Sequence, residues 1–387
     1  MKTWFDDLSL STAVAGFVAV LVGFTSSVAI VFQAAQALGA TPAQTSSWMW
    51  ALGLGMGVTS LGLSLWTRQP VLTAWSTPGA ALLAATSGIS MPEAIGAFIV
   101  CGGLIVLFGI TGWFERLMDR IPLAVAAALL AGVLARFGLD AVLTVKSAPL
   151  LVLCMAAAYL LGKRWWPRYA VPGVLLAGMA VAASQGSLHL GGIAWAWAQP
   201  VWTMPSFSMA ALIGVALPLF LVTMASQNLP GVAAQRASGY RTPVSRCITV
   251  TGLTTLLLAP FGGYSFNLAA ITAAICMGPQ AHENPARRYT ASAMAGLFYI
   301  ALGLAGGAVV GLLAAFPREL VAAVAGLALL GTIAGGLATA LKEEKHRDAA
   351  ILTFLVTLSG ISLLGIGSAF WGVVVGTIAL LVQHLRK

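Results

Sequence analysis

The stretch from Gln69 to Leu83, QPVLTAWSTPGAALL, decides how the rest of the chain is read. It sits among 387 residues that are 59% hydrophobic and only 8% charged, yet it carries two prolines and a Trp-Ser-Thr cluster. Val71 to Trp75 holds no strong helix signal. Ser76 and Thr77, followed by Pro78 and Gly79, read as an N-cap with proline at the first helical position. A half-helix is therefore expected to begin in the middle of an apolar segment. Non-helical backbone cannot face lipid, because each unpaired N–H or C=O there is costly, so the break must line a protein-enclosed cavity.

The composition lies far outside the soluble globular range. Several apolar runs exceed the roughly 18 residues that let a helix cross a bilayer, and the alternation of outer-membrane strands is absent. The expected class is an all-α integral membrane protein, with the lipid bilayer as its surroundings. Gly, Pro and charge punctuation divides it into fourteen transmembrane segments, near 12–33, 45–66, 70–87, 92–112, 121–140, 147–163, 169–184, 207–229, 243–259, 263–277, 288–314, 318–341, 349–365 and 367–383. The first run continues past the length of a signal-peptide core and is expected to be a retained helix.

With the N-terminus inside, only Arg136, Lys146 and Arg318 of the 20 Lys and Arg residues fall away from the cytoplasmic side, and both termini are cytoplasmic. The net charge of +9 thus reports topology, and no nucleic-acid partner is expected. Cys101, Cys154, Cys247 and Cys276 stand singly in apolar runs and read as buried inert thiols. The four histidines show no ligand spacing, so neither a metal nor a cofactor is expected. Trp195, Trp197 and Trp202 in the polar connection read as an interfacial aromatic belt.

The chain also resembles itself. AAQALGATP at Ala34 to Pro42 is similar to AAQRASGYRTP at Ala233 to Pro243, and GAFIVCGGL at Gly96 to Leu104 to GLFYIALGL at Gly296 to Leu304. AWSTPGAAL at Ala74 to Leu82 is similar to GYSFNLAAI at Gly263 to Ile271, which aligns Trp75 with Tyr264 and Ser76 with Ser265. Seven segments per half is an odd number, so the repeat is inverted, with residues 1–185 in one half, 186–206 as a connection and 207–387 in the other. Such repeats place a substrate at the midplane, where interrupted segments meet. The third and tenth segments are the interrupted pair, and Ser265 or Asn267 is the expected cap of the second half-helix.

Two helix N-termini facing one pocket suit an anion without any buried cation. The eighth segment, LPLFLVTMASQNLPGVAA, puts Ser226, Gln227 and Asn228 in an apolar run, and Thr25, Ser26 and Ser27 form a polar patch at the same depth of the first. Glu93 reads as the acid of a helix first turn, and Arg136 with Asp140 as an i,i+4 structural pair.

PVLTAWSTPGAALL, LVTMASQNLPGVAA, FGGYSFNLAAITAAIC and the C-terminal GIGSAFWG resemble the benzoate:proton symporter family along essentially the whole chain. The resemblance implies a core domain of segments 1–4 and 8–11, near 12–112 and 207–314, and a gate domain of segments 5–7 and 12–14, near 121–184 and 318–383. It also implies a site where the third and tenth segments cross as short antiparallel strands, and a homodimer. Proton-coupled nucleobase relatives carry carboxylates on the eighth and tenth segments, where this chain has Gln227, Asn228 and Asn267.

The expectation is a bacterial inner-membrane secondary transporter, not an enzyme, that imports a small aromatic carboxylate, benzoate above all, with a proton. Trp75 and Tyr264 would stack on the ring, and Ser76, Thr77, Ser265 and the half-helix N–H groups would hold the carboxylate. Ser226, Gln227, Asn228, Asn267, Ser26, Ser27 and Gly79 complete the expected lining. The alternative is a transporter of another small anion or of a nucleobase on the same fold. A primary pump lacks its phosphate loop, a channel its filter and an enzyme its catalytic constellation.

Overall fold

The computed structural model describes residues 4–84, 86, 88–166, 170–188, 197–306, 316–361, 363 and 368–385, with only the backbone described for Thr25, Ser26, Ala29, Thr332 and residues 383–385. The chain folds as α1 Leu10–Ala37, α2 Pro42–Thr67, β1 Thr73–Trp75, α3 Thr77–Ala84, α4 Met91–Thr111, α5 Leu123–Leu143, α6 Pro149–Trp165 and α7 Ala170–Ser184. There follow α8 Met209–Ala237, α9 Val244–Leu258, β2 Phe266–Leu268, α10 Ile271–Met277, α11 Tyr289–Ala305, α12 Arg318–Ala340, α13 Arg347–Ser359 and α14 Ser368–Leu385. Six described helices, α2, α4, α5, α8, α9 and α12 among them, are long and apolar enough to cross a membrane by length and composition alone.

Local chemistry sets the helix ends. Ser9 and Thr12 form a capping box at α1, Thr41 and Gln44 one at α2 ahead of Pro42, and Ser90 and Glu93 one at α4. Gly39 and Gly239 end α1 and α8 with the same turn, at φ of 76° and 84°, a backbone that glycine adopts without strain. In both turns the next residue, Ala40 or Tyr240, donates its N–H five residues back, to Ala35 or Gln235. The repeat read from the sequence is thus visible hydrogen bond by hydrogen bond.

Packing repeats as well. α2 lies along α11 and α4 along α9, and because α9 repeats α2 and α11 repeats α4, this is one interface used twice. The seam is built of small residues. A Cβ on Gly53 would come within 2.5 Å of Gly303 Cα, and one on Gly57 within 2.7 Å of the Gly296 carbonyl. Such close approach lets backbones pack where lipid supplies no hydrophobic drive between helices. At one end of the bundle Asp7 pairs with Arg68 at 3.3 Å and Arg287 at 3.2 Å and accepts from Tyr289 Oη at 2.8 Å, joining the starts of α1 and α11 to the end of α2.

The third and tenth segments are both broken. β1 and β2 pair antiparallel, Thr73 opposite Leu268, Ala74 opposite Asn267 and Trp75 opposite Phe266. The ladder extends through Ser76 N–H to Ser265 O at 3.1 Å and Ala269 N–H to Leu72 O at 2.9 Å. A two-stranded ribbon leaves an outward-facing N–H on each edge, which has no solvent to meet here. Side chains meet them: Ser60 Oγ of α2 accepts from Thr73 N–H, Thr255 Oγ1 of α9 from Phe266 N–H, each at 3.0 Å, and Asn228 Oδ1 of α8 from Leu268 N–H at 2.9 Å. Ser60 and Thr255 stand on repeat-related helices, so the first pin is itself duplicated.

Several expectations are corrected. Arg136 and Asp140 form none of the ion pairs of the described residues; Arg136 lies instead against Gly360, which ends α13, where a cation complements the helix dipole. α10 is capped by Ala270 with no side-chain acceptor, so neither Ser265 nor Asn267 caps it. Cys154 is half-buried, unlike the other three thiols. The aromatic-belt reading is not among these corrections: Trp197 and Trp202 are exposed, Trp202 packing edge-on to Phe261, and Trp195 lies outside the described residues.

Thr255→Val should leave the Phe266 N–H without an acceptor and cost about 1–3 kcal/mol, read as a lowered melting temperature in detergent; an unchanged melt would mean the edge is pinned otherwise. Gly53→Leu should push α2 off α11 and destabilise by about 1–3 kcal/mol or more, and a wild-type melt would refute the close seam.

Candidate functional site

Where the ribbon ends and the two half-helices begin, a cavity of about 330 Å³ opens, within the size range of small-molecule sites. Trp75, Thr77 and Pro78 come to it from one broken segment, Ala269, Ala270, Ile271 and Thr272 from the other. The remaining wall is Val22 to Phe24 and Ser27 of α1, Met56 of α2, Gln227 of α8, Tyr299 of α11 and Phe137 of α5.

One side is aromatic. Phe24 packs edge-on to Trp75 with ring centroids 4.7 Å apart and lies 5.7 Å from Tyr299. Trp75 is 3% exposed, and its indole N–H donates to Ser27 Oγ at 3.0 Å, whose own proton goes to Gly23 O at 2.9 Å. That chain restrains the indole of a residue that lines the cavity. Gly23 is small for a reason: a Cβ there would sit 3.0 Å from Tyr299 Oη and 3.2 Å from Thr272 Cγ2.

The polar lining is uncharged among the described residues. Thr77 and Gln227 line the cavity with no side-chain hydrogen bond to a described residue, whereas the hydroxyl of Ser27 and the indole N–H of Trp75 are already engaged. No acid, lysine or arginine is among the described residues of the wall. α3 starts with Ser76 as its cap, Ser76 Oγ accepting from Gly79 N–H at 3.1 Å. With Gly79 so occupied and Pro78 lacking an N–H, the Thr77 N–H is the donor left at that tip. The first turn of α10 has no side-chain cap.

The anticipated residues separate into those in the wall and those behind it. Trp75, Thr77, Gln227 and Ser27 line the cavity. Ser76 and Ser265 are buried one layer back, joined through Thr223 of α8, and Gly79 packs against Leu219 of the same helix. Asn228 holds the β2 edge. Asn267 is fully buried opposite Ala74 with neither amide atom partnered, and Ser226 is half-buried on the same turn of α8 as Gln227. The Ser26 side chain lies outside the described residues. Tyr264 sits in a closed aromatic cluster, 5.7 Å from Trp48 and 6.0 Å from Phe98, away from the cavity.

The reason is an offset in the repeat. By position between strand and half-helix, Trp75-Ser76-Thr77 corresponds to Leu268-Ala269-Ala270, not to Tyr264-Ser265. Phe24, Tyr299, Phe137 and Thr272 were not anticipated, because apolar and hydroxyl residues on long helices carry no mark of which face meets a cavity. Nor was the π-helical turn Met224–Asn228 that turns Gln227 toward the cavity.

Comparison with known proteins agrees with this architecture. The family model described as benzoate membrane transport protein matches residues 6–382. The chain is 52% identical over 375 residues to "Inner membrane protein YdcO" of Escherichia coli (strain K12), covering 97% of this chain and 96% of that protein. It is 42% identical over 380 residues to "Benzoate membrane transport protein" of Acinetobacter baylyi (strain ATCC 33305 / BD413 / ADP1), covering 98% and 96%. The solved structure of SLC26A9 superposes with a TM-score of 0.51 at 11% identity, over 99% of this chain and 67% of that one, a likeness of fold with its two inverted halves of seven segments. A multi-pass membrane protein of this fold, matched almost end to end, the chain belongs to the benzoate membrane transport protein family.

Proposed function

We infer that the protein is a secondary active transporter that imports a small aromatic carboxylate, with benzoate as the substrate, together with a proton. The observation that carries this reading is the mixed wall of the cavity at the ribbon ends, where the rings of Phe24, Trp75 and Tyr299 share the lining with Thr77 and Gln227, neither of which has a side-chain hydrogen bond to a described residue. The ring packs on the oriented indole, an offset or edge contact worth about 0.5–1.5 kcal/mol beyond its buried area. The carboxylate takes the Thr77 hydroxyl and N–H and the Gln227 amide donors, helped by the positive end of α3.

Neutral donors suffice for a single carboxylate whose charge is offset by a proton that crosses with it. No acid lines the cavity among the described residues, so the proton travels on the substrate carboxyl or through water rather than on a dedicated side chain. Alternating access follows from where the wall comes from. Every described lining residue but Phe137 lies on α1, α2, α8, α11 or the two broken segments, which supports a core unit of α1–α4 and α8–α11 that carries the substrate past a gate unit of α5–α7 and α12–α14. The Asp7, Arg68 and Arg287 cluster lies at the cytoplasmic end, with both termini inside. A neutral nucleobase is the second reading, favoured by the same absence of a cation from the wall.

Purified protein in proteoliposomes, with the pH gradient and the voltage imposed separately, tests substrate and coupling together. Labelled benzoate should accumulate under an inward proton gradient and not be displaced by uracil; no accumulation removes the benzoate reading, and displacement by uracil favours the second. Trp75→Ala should weaken benzoate binding about fivefold or more with the fold retained, and unchanged affinity would return Trp75 to packing.

A further inference from the structure

We propose that Thr223, which does not reach the cavity, is the positioning residue that holds the two broken segments in register, and that the π-helical turn after it exists to align this contact with those of Gln227 and Asn228. The proposal rests on the transport reading above, since it concerns how that site is kept in shape.

Thr223 is fully buried on α8. Its Oγ1 donates to Ser76 Oγ at 3.1 Å and lies 2.7 Å from Ser265 Oγ. A threonine hydroxyl has one proton, so with that proton on Ser76 the second bond runs from Ser265 to Thr223. Ser76 is the cap of α3, and its N–H donates to Ser265 O. One hydroxyl therefore ties the start of the first half-helix to the residue that leads into β2. Thr77, which lines the cavity, is the next residue after the cap that Thr223 holds.

Five residues on, Asn228 Oδ1 accepts the outward N–H of Leu268 in β2. On a regular α-helix, positions five apart point about 140° away from each other and could not both meet one ribbon. The turn Met224–Asn228 is wider, with Leu229 N–H bonding back to Met224 O, and an i→i+5 turn narrows the angle between residues five apart to roughly 50°. Thr223 and Asn228 thereby face the ribbon together, while Gln227, between them, reaches the cavity. α8 thus sets three things with one local distortion: the cap of α3, the edge of β2 and a donor to the substrate.

Uptake of labelled benzoate into proteoliposomes by wild type, Thr223→Val and Thr223→Ser tests this, valine keeping the shape without the hydroxyl and serine keeping the hydroxyl. Thr223→Val should raise KM about tenfold with Vmax within about twofold, and Thr223→Ser should return KM to within about twofold of wild type, as expected for one buried hydrogen bond that shapes binding. Melting and gel filtration in detergent should report folded protein for both. A wild-type KM for Thr223→Val, a loss confined to Vmax, or serine as impaired as valine would overturn the proposal. Wild type that takes up no benzoate would remove the transport reading and this proposal with it, whereas active wild type with an unaffected Thr223→Val removes this proposal alone.

Discussion

Unsatisfied backbone in a medium without water is the constraint on which the rest of the structure depends. Two segments stop being helical halfway along, and their N–H and C=O groups must find partners inside the protein. They find each other first, as the β1–β2 ribbon, and then the side chains of three helices. Ser60 and Thr255 take the outer N–H groups of Thr73 and Phe266, Asn228 takes that of Leu268, and Ser64 Oγ donates to Val71 O at 2.8 Å. Ser60, Ser64, Thr255 and Asn228, polar residues on otherwise apolar helices, meet this need. Once the ribbon is satisfied, the half-helices can begin where no lipid reaches, and the space between their starts is the cavity.

Symmetry builds the frame, and departures from it build the site. The α2–α11 and α4–α9 contacts, the Gly39 and Gly239 turns and the Ser60 and Thr255 pins recur in both halves. The cavity wall does not recur. One half-helix starts with Ser76-Thr77-Pro78 and has a side-chain cap, the other with Ala270-Ile271-Thr272 and has none. α1 supplies Phe24 and Ser27, while its counterpart α8 supplies Gln227 from a π-helical turn. The wall therefore mixes aromatic with uncharged polar side chains and draws them unequally from the two halves.

The order and approximate places of the helices were legible because length and hydropathy report the same apolar runs, but their ends were not: α8 runs on to Ala237 where an end near 229 was expected, since Pro230 and Gly231 continue the helix instead of ending it. The break at Pro78 was legible because Ser-Thr-Pro is strong cap chemistry. The second break was located only roughly: Leu268-Ala269-Ala270 bears no cap residue, and the local likeness of Tyr264-Ser265 to Trp75-Ser76 pulled the alignment several residues away from it. Tyr264 and Ser265 consequently fell behind the cavity rather than in it. Residues such as Phe24, Tyr299 and Phe137 become visible only when helices from distant parts of the chain are packed, since nothing in an apolar run distinguishes a face toward lipid from one toward a cavity. Thr223 was passed over for a related cause, its hydroxyl being one of many on long helices and its role arising from the wider turn that follows it.

The crossing itself is open to a direct measurement. In a variant with the four native cysteines replaced, Ala74→Cys combined with Asn267→Cys places two thiols directly opposite in an antiparallel pair, at a Cα separation of about 4.5–5.5 Å that a disulfide spans. Mild oxidation in native membranes should link this pair, and should fail to link Ala74→Cys with a cysteine in place of Met277 at the far end of α10. Failure of the 74–267 pair to cross-link while the 74–277 pair does would contradict the ribbon, and with it the cavity and everything inferred from its wall.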